Sequence, residues 1–198
     1  MNYETNLLNK ALSEVYAQLQ IYAQKDYFFN ILEQVFGNNF DLSKAEKIRL
    51  QWQLGDFSLL PVIQVISSST LNTTLGAYAT TTNQIYLSEN WLSNSQPGAI
   101  ANVLLEEIGH WLDTQINSVD TPGDEGELFS ALIRGKILSE SELQRITSED
   151  DTAVITINGQ TIQVEQATIS DSGGFEGSQQ TIKLESTGGG TARFSSIP

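Results

Sequence analysis

The sequence predicts an α+β fold: helices first, then a small sheet around one long helix, then a β-hairpin module. Three observations predict it. Apolar residues recur at three- and four-residue steps through the first part of the chain, the period of a helix with one buried face. From Pro61 onward short β-branched runs replace that period, as strands require. Past about Thr147 two alternating runs flank Asn158-Gly159, and strand, Asn-Gly, strand is a strong short-range hairpin signal. The change of texture divides the chain into a domain over 1–148 and a β-rich segment over 151–198 that reads as separable and cut from something longer.

Leu7, Leu8, Ala11, Leu12, Val15, Leu19 and Tyr22 form the first helical stripe. Phe28, Phe29, Leu32, Val35 and Phe36 form a second, which Gly37 stops, glycine being the residue that best adopts the left-handed conformation at a helix end. A third helix is expected from Leu42 or Ser43 to Leu54, closed by Gly55. Aromatics at such spacing are core residues. Val62, Ile63, Val65 and Ile66 read as a buried strand, and the Ser/Thr/Asn-rich stretch up to Gly76 as a loop. Ala77-Tyr78-Ala79 and Gln84 to Leu87 flank a turn at Thr80 to Asn83, giving a hairpin or a bent edge strand. Ser95 and Pro97 start a helix that runs to about Ile116, since proline fits the first helical turn. Its apolar arc is Ile100, Leu104, Ile108, Trp111 and Leu112, with Glu106, Glu107 and His110 on the other side. Beyond the Asn158-Gly159 hairpin, 181–185 and 191–194 are expected to pair across Gly188-Gly189-Gly190, and 173–177 to form a flexible or cation-contacting loop.

Composition narrows the chemistry. At 198 residues the chain can bury one real core, and no apolar run approaches the roughly 20 residues that span a bilayer. The N-terminus lacks the basic and apolar stretches of a secretory signal, so the expected location is cytoplasmic or exported without an N-terminal signal peptide. A net charge of -14 argues against nucleic acid as a partner and makes cations the natural one. With no cysteine and one histidine, any metal site must be built from oxygen ligands and a single imidazole.

That histidine ends the run Leu105-Glu106-Glu107-Ile108-Gly109-His110-Trp111. The run nearly copies H-E-x-x-H, in which two histidines hold zinc and the glutamate between them activates water. Glutamate replaces the first histidine here. Positions i and i+4 lie about 40° apart around a helix, so Glu106 and His110 are candidate ligands and Glu107 the candidate general base. The third ligand is sought in Thr121-Pro122-Gly123-Asp124-Glu125-Gly126-Glu127, which opens the next helix. Asp124 and Glu127 have capping-box spacing and so a structural task, which leaves Glu125 as the preferred ligand. The same residues also admit plain structural roles, Glu106 and His110 as a helix ion pair and the acids at 124, 125 and 127 as complements to a helix dipole.

On these residues the chain resembles a zincin-like metallopeptidase domain. The stretch 103–113 together with 121–127 looks like a domain found at the front of large bacterial, mainly cyanobacterial, calcium-binding secreted proteins, and the likeness covers about 25–140 and extends more loosely into 188–194. The resemblance implies a small twisted sheet over an active-site helix, with 76–87 as an edge strand that pairs with an extended peptide or protein substrate. It also implies a metal-dependent peptide hydrolase in which Glu107 is the general base toward a metal-activated water, acting on a substrate or on the chain itself. Tyr78 and Tyr86 are the candidates for stabilising the oxyanion. Two carboxylates and one imidazole suit zinc, and also iron(II) or manganese; calcium is a further candidate ligand elsewhere on the chain. The alternative is a non-catalytic zincin-fold binding module. A di-iron bundle is excluded by the lack of a second histidine. The sequence sets neither the substrate nor the oligomeric state.

Overall fold

The computed structural model describes residues 3–71 and 73–167. The strand pair expected at 181–185 and 191–194 and the glycine-rich loops at 173–177 and 188–190 lie outside the described residues. Within them the fold is α+β, with eight helices and a five-stranded mixed sheet. No helix among the described residues is long and apolar enough to cross a membrane.

Helices α1 (Tyr3–Ala23), α2 (Phe28–Phe36) and α3 (Leu42–Gln53) follow the three stripes. Gly37 and Gly55 close the second and third at φ of 75° and 72°. Asp41 caps α3 by accepting from Ser43 N and Lys44 N. Strand β1 (Val62–Ile66) is followed by the short α4 (Ser68–Leu71), then by the hairpin of β2 (Gly76–Ala79) and β3 (Gln84–Ser88). The remaining helices are α5 (Glu89–Asn94), α6 (Pro97–Ile116), α7 (Glu125–Ile133) and α8 (Glu140–Ser148). A second hairpin, β4 (Thr152–Ile157) and β5 (Gln160–Ala167), completes the sheet. Its turn uses Asn158 and Gly159 at φ of 52° and 79°, the positive values that a two-residue turn between twisted strands demands.

Strand order β1-β3-β2-β5-β4 corrects three expectations. The β4–β5 hairpin is not an appendage. Strand β5 pairs antiparallel with β2, Gly76 to Ala167, Ala77 to Gln166 and Tyr78 to Glu165. The division expected at 148/151 therefore falls between α8 and a wing of the same sheet. For the same reason β2 is no edge: the position where an extended peptide was expected to pair is taken by the chain's own β5. Strand β1, expected to be buried, is itself an edge, parallel to β3, with Val62 67% exposed. Alternation within a short run of β-branched residues does not say how many neighbours the strand will have.

Helix α6 runs through the centre of the core. Every residue from Val103 to Asp113 is buried, because α1 and α7 pack on it from one side and β2 and β5 from the other. The face expected to be polar and open, with Glu106, Glu107 and His110, is thus covered. On the opposite face of the sheet Leu71, Ala77, Ala79, Tyr86, Ile155 and Val164 form a second, smaller cluster.

Candidate metal centre

The contact between α6 and α7 is closer than side chains permit. A Cβ on Gly109 would lie 2.8 Å from Gly126 Cα, and one on Gly126 would strike the His110 ring, 2.5 Å from Cε1. Two glycines let the start of α7 lie directly on the imidazole. Asp124 is the N-cap of α7 and accepts from Glu127 N through Oδ1 at 2.6 Å, while its Oδ2 is buried without a hydrogen-bond partner. The capping oxygen is also the Asp124 atom nearest the imidazole, so one oxygen both caps α7 and faces the site. The Glu127 side chain does not complete the capping box; it takes two hydrogen bonds from Arg145 Nη2, at 2.6 and 2.7 Å. Asp113 fixes the intervening turn, accepting from Thr121 Oγ1 at 2.6 Å and Asn117 Nδ2 at 2.7 Å.

Four carboxylates bracket His110 in a paired arrangement. Each ring nitrogen faces one acid from the start of α7 and one from the β4–β5 hairpin. At Nδ1, Glu125 Oε1 lies at 2.9 Å and Glu165 Oε2 at 3.4 Å. At Nε2, Asp151 Oδ2 lies at 3.4 Å and Asp124 Oδ1 at 3.8 Å. Glu125 is within hydrogen-bond reach of Nδ1, and an ionised carboxylate can only accept, so Nδ1 carries the hydrogen. Nε2 has no hydrogen-bond partner and is fully buried. In the neutral ring its lone pair faces Asp124 and Asp151. Buried polar atoms are nearly always satisfied, and an imidazole nitrogen converging with two carboxylates is the donor set of a metal site.

His110, Asp124 and Asp151 form one group able to hold a metal ion, and His110, Glu125 and Glu165 another, their ligand atoms within 4.8 Å of one another. Of the expected ligands, His110 and Glu125 come together. Glu106 belongs to neither group, nor to a third made of Asp113, Asp120 and Glu125. It is buried on α6, and its charge acts on Arg134, whose pKa burial lowers and the carboxylates of Glu106 and Glu127 pull back up. Gly126 rests against the Glu106 backbone carbonyl as well as the ring, so the acids that reach the imidazole come from α7 and the hairpin instead. Asp124, read in sequence only as a cap, Asp151 and Glu165 complete the brackets. Nothing local in the sequence marks the last two, since they reach His110 only through the pairing of β5 with β2.

Glu107 is fully buried. Its Oε1 accepts from Ala167 N at 3.2 Å and its Oε2 has no hydrogen-bond partner. Gly76 makes room for it, since a Cβ there would lie 2.8 Å from Oε1. Tyr78 is buried on the α6 side of the sheet, its hydroxyl 3.3 Å from both Thr114 Oγ1 and Asn83 Oδ1. Tyr86 is in the small cluster on the far face, its hydroxyl donating to Gln84 Oε1 at 2.8 Å; strand alternation aims it away from His110. A cleft of about 240 Å³ reaches the centre at Glu165, with Thr80, Thr81, Asp120 and Thr152 among its walls.

Burial perturbs four of the acids here, Glu107, Asp124, Glu125 and Glu165. Burial raises the Glu107 carboxyl well above its usual range, with His110 opposing. Burial also lifts Asp124 to about 7 and Glu165 to about 8, again against the pull of His110. Glu125 is raised for the same reason. Burial disfavours a charged imidazole, but Glu125, Asp124 and Glu165 outweigh it and hold the His110 pKa well above its ordinary value. The ion pairs of Asp124, Glu125 and Glu165 all run to this one ring. No protein-family model, curated protein or solved structure matches the chain, so the chemistry of the centre rests on its own geometry.

Proposed function

We propose that this chain is a zincin-like metal-binding domain that holds one divalent transition metal at His110 Nε2 together with Asp124 and Asp151. The observation that carries the reading is the buried Nε2 without a hydrogen-bond partner, facing two carboxylates at 3.4 and 3.8 Å. Ligand atoms about 2.0–2.2 Å from a tetrahedral ion sit roughly 3.4 Å apart, so the two separations to Nε2 need little adjustment. Glu125 holds the ring through Nδ1, which fixes its orientation and strengthens the donor. One nitrogen and two oxygens favour zinc, with iron(II) and manganese next. Binding requires the neutral imidazole and ionised carboxylates, so the metal displaces protons from the cluster.

The test is elemental analysis and calorimetric titration of untagged protein. Near one zinc per chain is expected, with His110→Ala abolishing it. Stoichiometric zinc in His110→Ala protein would overturn the assignment.

One observation favours a hydrolytic use of the same centre, that of a metal-dependent peptide hydrolase. Glu107 already touches a peptide nitrogen, that of Ala167, and burial raises its pKa well above the usual carboxylate range, as in groups that act by proton transfer. A bound metal would supply Lewis acidity to a carbonyl or a water. Glu107 would move the proton, and the cleft beside Glu165 would admit water. In this arrangement β5 fills the place of an extended substrate along β2, so the chain's own segment is the first peptide to test.

A further inference from the structure

Two of the four acids around His110 belong to one small piece of structure. Asp151 immediately precedes β4 and Glu165 lies on β5, and they reach opposite nitrogens of the same ring. The rest of the hairpin's attachment is modest. Strand β5 meets β2 over three residue pairs. Three further hydrogen bonds gather at the same end: Leu75 N to Ala167 O at 2.9 Å, Ala167 N to Glu107 Oε1 at 3.2 Å, and Thr74 Oγ1 to Gln166 Oε1 at 2.5 Å. Strand β4 is an edge, and the apolar cluster beneath the hairpin is the smaller of the two. Against these ties stands like-charge repulsion, of Asp151 with Asp124 and of Glu165 with Glu107 and Glu125.

We propose that the β4–β5 hairpin is the closing half of the cation site, Asp151 supplying its third donor, so that binding of a divalent transition metal and docking of the hairpin on β2 are one event. The inference rests on the reading of His110 as a metal ligand. With the hairpin away, only His110 Nε2 and Asp124 remain on that side of the ring, fewer than the three or four protein ligands a zinc site uses. Glu165 leaves with it, and Nδ1 keeps Glu125 alone. Coupling between two events is reciprocal: whatever affinity the hairpin adds for the cation, the cation returns as protection of the hairpin. A cation that binds only the docked form reduces the undocked population about 100-fold when its free concentration is about 100 times its Kd.

Hydrogen exchange on the full chain tests this, in zinc and in chelator. In zinc at about 100 times the measured Kd, amides of Thr152–Ala167 and their partners in Gly76–Ala79 should exchange about 100-fold more slowly than in chelator, and in chelator they should exchange faster than the core amides of α6, the hairpin opening below the free energy of global unfolding. Asp151→Asn should weaken zinc binding at least tenfold and shrink the protection in proportion at the same free zinc. If wild-type protein takes up one zinc and hairpin exchange does not change, the inference fails while the metal reading stands. If it takes up no zinc at any concentration short of nonspecific binding, both fail. The wild-type comparison decides the matter even where Asp151→Asn does not fold.

Discussion

Metal-free protein should lose stability as pH rises from about 5 to about 8, the reverse of a domain whose acids are stabilised by ion pairs. The cause is Asp124. Its carboxyl, ordinarily at 3.8, is lifted by burial to about 7 in the fold. Between those values the native state keeps a proton that the unfolded chain has released, so stability falls with pH across the window. From pH 5 to the folded value is about 2 units, and each unit is worth about 1.4 kcal/mol, giving roughly 3 kcal/mol from this group alone. Glu165, raised to about 8, acts in the same direction. So does His110, because a histidine with a raised folded pKa stabilises below its unfolded value and loses that contribution as pH climbs through the folded one. In a domain of this size about 3 kcal/mol is roughly 6–12 °C of melting temperature. Thermal unfolding in chelator at the two pH values measures it, and zinc added at the higher pH should recover the loss. A metal-free Tm that rises between pH 5 and pH 8 would refute the assignment of a strained, acid-rich centre.

Three substitutions probe the surrounding geometry. Glu107→Gln keeps an oxygen to accept from Ala167 N, so zinc content and Tm should change little; in the hydrolytic reading, cleavage measured by mass spectrometry should fall about 10²–10⁴-fold, and loss of zinc would make Glu107 a ligand. Gly126→Ala drives a methyl into the His110 ring and should cost about 1–3 kcal/mol together with most of the zinc affinity; wild-type affinity by calorimetry would show that α7 does not rest on the ring. Arg145→Gln removes the two hydrogen bonds that Nη2 gives the buried Glu127 carboxylate, and chemical denaturation should register about 1–2 kcal/mol. That is below the roughly 3–5 kcal/mol of a fully buried pair, because the Arg145 side chain is 40% exposed.

Elements with a strong local signal were legible in the sequence. Pro97 marks the first turn of α6 and Asn158-Gly159 the turn of the second hairpin, and both stand where expected. Helix α5, only six residues long, has no room to display a period. Helix α8 does carry a readable start, Ser139 and Glu142 in a reciprocal capping box, but buries only Ile146. The centre divides the same way. His110 and Glu125 stand near the ends of two helices joined by a short turn, so sequence spacing brought them together. Asp151 and Glu165 depend on a strand pairing across about 90 residues, and register at that range is set by the packed sheet rather than by any local run. The covered state of α6 was hidden for a related reason: an amphipathic pattern shows which face is apolar, not whether the polar face is later roofed by another part of the chain.

The order of the chain gives the centre a birth sequence. Synthesis proceeds from the N-terminus, so α6 and the start of α7 present His110, Asp124 and Glu125 while the hairpin does not yet exist. During that interval the imidazole has half its neighbours and an open side, and any ion that visits can leave as easily. Asp151 and Glu165 arrive last, on the strand that lies down along β2. On the proposed reading, which ion the domain retains is decided late, among those at hand when the hairpin docks, and an exchange afterwards must lift part of a sheet.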